Sequence, residues 1–148
     1  MNLKFVGFHW LLWSLIAGIA YWFLNGWLVN QLTTIDALVE IIEWQQSTIN
    51  YYPLSLFLGS VVLAPIFEEL VFRGLVLNAM KQTFNNWIAV GVSALLFALI
   101  HWSWPEFISL FIIGSIYGWI TVKSNSLLPA LVAHITHNAL TFWQHVSV

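Results

Sequence analysis

Long apolar runs, separated by short polar stretches, make up most of the chain. Residues 3–29 carry no charge after Lys4 and exceed the roughly 20 residues that a helix needs to cross a bilayer. Four further apolar runs follow, at 51–80, 87–104, 107–122 and 127–143. Residues 30–50 differ. Thr33 and Asp36 stand at capping-box spacing, Ile35, Leu38, Val39 and Ile42 fall on one helical face, and Asp36, Glu40 and Glu43 fall on the other. This pattern predicts an amphipathic helix lying on the membrane surface. The expected fold is all-α: a polytopic membrane helix bundle of about five transmembrane helices plus one short interfacial helix. Residues 1–50 would hold the first span and the surface helix, and residues 51–148 a core of four spans.

Composition agrees. Of 148 residues, 60% are apolar, 17% aromatic and only 7% charged, where a soluble domain carries about a quarter charged residues. Ten Trp and four Tyr suit a protein with two water–lipid interfaces. The absence of cysteine excludes disulfides, thiolate metal sites and a Cys nucleophile. A net charge of −2 argues against a nucleic-acid partner; the bilayer is the expected surround. The first run has neither the short apolar core nor the cleavage site of a signal peptide. With five spans, Lys4, Lys81 and Lys123 fall on one side, and Glu106 and the acids of 30–50 on the other. The positive-inside rule then predicts a multi-pass cell-membrane protein with a cytoplasmic N-terminus and an outer C-terminus.

The chemistry concentrates in one stretch, Ala64-Pro-Ile-Phe-Glu-Glu-Leu-Val-Phe-Arg-Gly74, which holds Glu68, Glu69 and Arg73 in an otherwise apolar run. Ionisable groups at bilayer depth mark reaction centres, ion paths or paired structural sites. Glu69 and Arg73 are i and i+4 with the acid first, the favourable order for an ion pair on one helix face. Glu68 points about 100° away, free to face a cavity. Pro65 should kink the span and free backbone groups one turn before Glu68. His134 and Asn138 share a face of the fifth helix, as Phe97 and His101 share one of the third.

Glu68, His101, His134 and Asn138 thus come from three helices and suit water-activated amide hydrolysis, with a carboxylate base and imidazole and amide donors for the oxyanion. Glu68, His101 and His134 are also a two-His, one-Glu zinc set. Depth is a difficulty. At about 1.5 Å per residue, Glu68 lies roughly 20 Å from Lys81 and His101 roughly 21 Å from Trp87, but His134 only about 10 Å from Leu127. A tilted or deeper-starting fifth helix would close the gap. Taken singly, an intramembrane His is more often a bonded core residue and an Asn helix–helix glue; their coincidence favours a site. His9, Asn25 and His145 read as interfacial, Gly114 and Gly118 as close-packing positions, and His137 as undecided.

Glu68-Glu69-x-x-Phe72-Arg73-Gly74, Phe97-x-x-x-His101 and His134-x-x-x-Asn138, in that order on successive spans, resemble the CPBP family of intramembrane peptidases, also called the CAAX protease and bacteriocin-processing or Abi family. Ser126-Leu-Leu-Pro129 ahead of the histidine is similar as well. The resemblance covers about residues 51–142 and implies a membrane-embedded endopeptidase. Glu68 would be the water-activating base, His101 and His134 would complete the site, Asn138 would help hold the oxyanion, and Glu69 and Arg73 would support it. It leaves zinc and a metal-free glutamate mechanism equally open, and points to a membrane protein or peptide as substrate, in peptide processing or bacteriocin self-immunity. Members commonly have more than five spans, so a homo-oligomer that seals the cavity is a further expectation. Two other classes compete: a non-catalytic immunity or scaffold protein on the same fold, and a small transporter, which the lack of an evident inverted repeat disfavours. Ser93 lacks the rhomboid Gly-x-Ser-Gly setting, and Asp36 is the only aspartate, so no aspartyl pair exists in one chain.

Overall fold

The computed structural model describes residues 3–32, 53–102 and 106–146, and among these the chain is a bundle of five helices. They are α1 (Phe8–Leu32), α2 (residues 53–80), α3 (Asn86–Ile100), α4 (Phe107–Ser124) and α5 (Leu128–Val146). The predicted surface helix of 30–50 falls mainly on residues outside the described ones. Three stretches, Phe8–Leu28, Leu54–Met80 and Phe107–Ser124, are long and apolar enough to cross a membrane, and Asn86–Ile100 is apolar but shorter. The five expected spans therefore match five helices, but only three qualify by length and hydropathy. α3 stops early, and α5 gives up apolarity to a stripe of polar residues. The outer surface is apolar, with Trp13, Trp27, Leu75 and Leu99 exposed, as a lipid-facing surface requires.

Local chemistry sets the helix ends. Gly7, at φ +107, turns the chain into α1. Asn85 caps α3, its Oδ1 accepting from the Trp87 and Ile88 amides at 3.0 and 3.1 Å. Asn125, in the left-handed region, closes α4. The turn that follows is buried rather than surface-lying: Ser126 and Leu127 are 0% and 3% exposed, and Ser126 Oγ donates to the Lys4 carbonyl at 2.7 Å. A Cβ at Gly74 would lie 3.6 Å from Leu127 Cδ1. The start of α5 is therefore level with Gly74, about 9 Å deeper than the end of α2 at Met80. This removes the depth difficulty at His134.

α2 is not regularly wound. Phe57–Leu63 and Leu70–Val76 are π-helical and flank the α-helical Ala64–Glu69. The Ala64 amide reaches back five residues to the Gly59 carbonyl, and the Leu77 amide to that of Phe72. Pro65 has no N–H to offer the Ser60 carbonyl, which is thereby released from the helix. The predicted disturbance at Pro65 takes this form: wide turns that often accompany functional sites, and a free carbonyl beside the central carboxylates.

All five helices meet in one core of Tyr21, Phe72, Phe97, Ile113, Tyr117, Ala130 and Ala133. Small residues allow the close approaches. A Cβ at Gly18 of α1 would stand 2.6 Å from the Ala133 carbonyl of α5, and at Gly114 of α4 it would meet Ala94 at 3.2 Å and Phe97 at 3.3 Å. At Gly118 it would meet Val90 at 3.1 Å. The packing reading of Gly114 and Gly118 holds.

Candidate active site

Glu68 stands near the middle of α2, roughly 20 Å from either end. Its carboxylate faces two imidazoles, with Oε1 4.0 Å from His101 Nε2 and Oε2 3.6 Å from His134 Nε2. Each ring is held from behind. His101 Nδ1 lies 2.7 Å from the Phe97 carbonyl, which the end of α3 leaves free, and His134 Nδ1 lies 2.9 Å from Glu69 Oε1. Both partners only accept, so both Nδ1 atoms carry hydrogen in the neutral rings and both Nε2 atoms turn toward Glu68.

Glu69 therefore does more than pair with Arg73. Its Oε1 lies 3.1 Å from Arg73 Nη1 and 2.9 Å from His134 Nδ1, with the acid and Arg side chains 2% and 0% exposed. Arg73 Nη2 donates to the Gly114 carbonyl at 3.0 Å, and its guanidinium lies over the Phe97 ring at 4.7 Å and near Tyr117 at 5.5 Å. The sequence-predicted ion pair is present. What spacing within one helix did not reveal is that the pair orients an imidazole on another helix and anchors to the backbone of a third.

Asn138 lines the same cavity, but its Nδ2 donates to the Ser60 carbonyl at 2.8 Å. It supplies the donor that Pro65 lacks and ties α5 to the π turn of α2. One Nδ2 hydrogen remains free of that bond.

The cavity has a volume of about 490 Å³, a size suited to a small ligand or a few residues of peptide. Glu68, His101, His134 and Asn138 all line it, so the structure gathers the four predicted residues. It runs roughly 16 Å along α4, from Glu106 to Tyr117. His137 and His145 also line it, as does Tyr21 of α1. The Tyr21 ring lies 4.5 Å from that of His137, and its hydroxyl donates to Ser109 Oγ at 2.6 Å, which in turn donates to Asn25 Oδ1 at 2.7 Å. Asn25 is thus an internal tie between α1 and α4 rather than an interfacial guest. His145 is half-buried at the cavity, its Nδ1 2.7 Å from the Thr141 carbonyl, rather than lying only at the interface. Ser93 is structural, donating to the Phe72 carbonyl at 2.8 Å.

Among the described residues, no three His, Cys, Asp or Glu side chains gather at metal-holding positions. Glu68, His101 and His134 nevertheless offer the donor atoms that a zinc ion takes.

Fold and site together define a polytopic membrane helix bundle with a carboxylate facing two imidazoles in an internal cavity. The sequence comparisons name the group. The family described as "Type II CAAX prenyl endopeptidase Rce1-like" matches residues 50–140, and the chain belongs to it. It is a membrane protein of a protease family. Over 84 residues the chain is 29% identical to an Escherichia coli protein described as "Uncharacterized 24.3 kDa protein", covering 53% of this chain and 39% of that relative. The match thus spans about two-fifths of the curated relative's length. No solved structure matches.

Proposed function

We propose that the protein is an intramembrane endopeptidase that hydrolyses a peptide bond of a membrane-associated protein or peptide. The observation that carries this reading is the placement of Glu68 between two Nε2 atoms at 3.6 and 4.0 Å, with both rings held at Nδ1. The cavity of about 490 Å³ beside these atoms has room for a water that the carboxylate can bind and aim. Glu68 takes a proton from that water as its oxygen attacks the scissile carbonyl carbon. The proton passes to an imidazole Nε2 and then to the leaving amine as the C–N bond breaks. Glu69 stands behind His134 as a carboxylate stands behind the histidine of a catalytic triad, and stabilises the imidazolium while it exists. The free Nδ2 hydrogen of Asn138 is the donor for the oxyanion.

Family membership supports the reaction class. With the three lysines at the cytoplasmic face, the cavity mouth near Glu106 and His145 would open outward. The direct test compares new protein N-termini in membranes from cells making wild type or Glu68→Gln at matched levels. Termini found only with wild type support a peptidase and name its substrates. Identical lists across several conditions in the native host would leave a non-catalytic immunity or scaffold role.

A further inference from the structure

The charges of this chain are few enough to be followed one by one. Four residues carry a fixed positive charge. Three are lysines at the end of the bundle where α1 begins: Lys81 ends α2, Lys123 lies in the last turn of α4, and the Lys4 carbonyl is bonded by Ser126. The fourth, Arg73, is fully buried and engaged by Glu69 and the Gly114 carbonyl. The cavity reaches toward the other end of the bundle, where Leu56, Glu106 and His145 line it, and that end is taken as its mouth. No lysine or arginine lines it, while the carboxylates of Glu68 and Glu106 do. The chain joining α1 to α2 adds Asp36, Glu40 and Glu43 to the sequence and no cation.

The wall between the mouth and Glu68 is mainly apolar, with one polar stripe and no carboxylate, lysine or arginine among its described residues. Along α5, His134, Asn138, Thr141 and His145 follow one another at turns of the helix and line the cavity. His137 Nδ1 and Thr141 Oγ1 are buried without a hydrogen-bond partner, as is Tyr117 Oη on the facing helix. Buried polar atoms left without partners are uncommon and call for a ligand or water. The stripe from His134 to His145 is about 16 Å long, the reach of about five residues of extended chain. It offers hydrogen bonds to a peptide main chain and nothing to balance a negative side chain.

We infer that the cavity is selective for charge: it admits polypeptide segments that are basic or uncharged and rejects acidic ones, with Glu106 as the specificity-determining residue at its mouth. A cleft with walls of low dielectric constant and charges of one sign concentrates the opposite ion by roughly tenfold or more. The inference rests on the peptidase reading only for what the occupant is.

The chain's lack of cysteine makes the test clean. Single-cysteine variants Thr141→Cys in the cavity and Gln82→Cys at the exposed lysine end are placed in phosphatidylcholine vesicles at low salt and about pH 8, where imidazoles are largely neutral. Each is labelled with a trimethylammonium-ethyl and a sulfonato-ethyl methanethiosulfonate. The cysteine thiolate attacks the thiosulfonate sulfur, a mixed disulfide forms and methanesulfinate leaves. Rates are normalised to the same reagent with mercaptoethanol. The expected cation-over-anion ratio at position 141 is roughly tenfold or more, falling by at least threefold with Glu106→Gln and lower still at Gln82→Cys. Should Thr141→Cys fail to fold, His145→Cys serves at the mouth. Equal ratios at both ends, a ratio unmoved by Glu106→Gln, or a position 141 that neither reagent reaches would overturn the inference. An inactive protein that labels selectively sinks the peptidase reading alone; an active one without selectivity sinks this one alone.

Discussion

Removing the Arg73 charge tests how the centre is held. In Arg73→Met, the Glu69 carboxylate, 2% exposed, loses a partner at 3.1 Å. At an effective dielectric of about 20, that pair represents about 5 kcal/mol of gross attraction at this separation. The bond to the Gly114 carbonyl, charge-assisted and therefore about 1.5–3 kcal/mol, is lost with it. Desolvation of the guanidinium opposes both, and stranding one member of a buried pair costs about 3–5 kcal/mol net. The variant should lose that much stability, read by tryptophan fluorescence as dodecyl sulfate is titrated into mixed micelles. The double variant Glu69→Gln with Arg73→Met, which leaves no uncompensated charge, should regain at least half. If Arg73→Met unfolds within about 1 kcal/mol of wild type, or the double variant falls below the single, the account of a buried charge held by its partner is wrong.

Four further outcomes follow from the geometry. Glu68→Gln should abolish appearance of new N-termini while unfolding at the wild-type detergent ratio, because Glu68 makes no buried pair that stabilises the fold. Asn138→Ala should cost about 1 kcal/mol by leaving the Ser60 carbonyl bare; in a Pro65→Ala background, which restores a backbone donor, the cost should shrink, and an unchanged cost in that cycle would refute the link. Gly18→Ala puts a methyl group 2.6 Å from the Ala133 carbonyl, so α1 must shift and the unfolding midpoint should drop by about 1–3 kcal/mol equivalent. If Glu68 activates water without an ion, as in the proposed reaction, treatment with a strong chelator should leave cleavage unchanged; loss of activity restored by zinc would show that Glu68, His101 and His134 hold an ion.

Much of this arrangement could be read along the chain because it depends on short-range spacing. The Glu69–Arg73 pair follows from the i, i+4 rule, the special winding of α2 from the missing N–H of Pro65, and the grouping of Glu68, His101, His134 and Asn138 from the scarcity of polar residues in apolar spans. What was not legible is set by contacts distant in sequence. Glu69 meets His134 across 65 positions. The depth of His134 depends on Ser126 bonding the Lys4 carbonyl, 122 positions away, which draws the start of α5 below the surface. Asn25 looked like a guest at a span end because its partner, Ser109, lies on another helix. His137 could not be assigned because its surroundings are made by Tyr21 of α1. Five helices stand where five spans are expected, and α3 and α5 fall short of the length and hydropathy of the other three because both are packed against their neighbours.

Gly114 has no side chain, yet it governs charge. Its carbonyl anchors Arg73, and because a backbone oxygen accepts that bond, no exchange of side chain at 114 can delete the acceptor. An exchange can only move it. The first atom of any side chain there would press on Ala94 and Phe97, and Phe97 both underlies the guanidinium and holds His101 through its own carbonyl. A single methyl group at this position, uncharged and remote from the reacting atoms, would therefore behave as an electrostatic mutation. Variation at 114 would be read as a loss of catalytic geometry long before it was recognised as a matter of size.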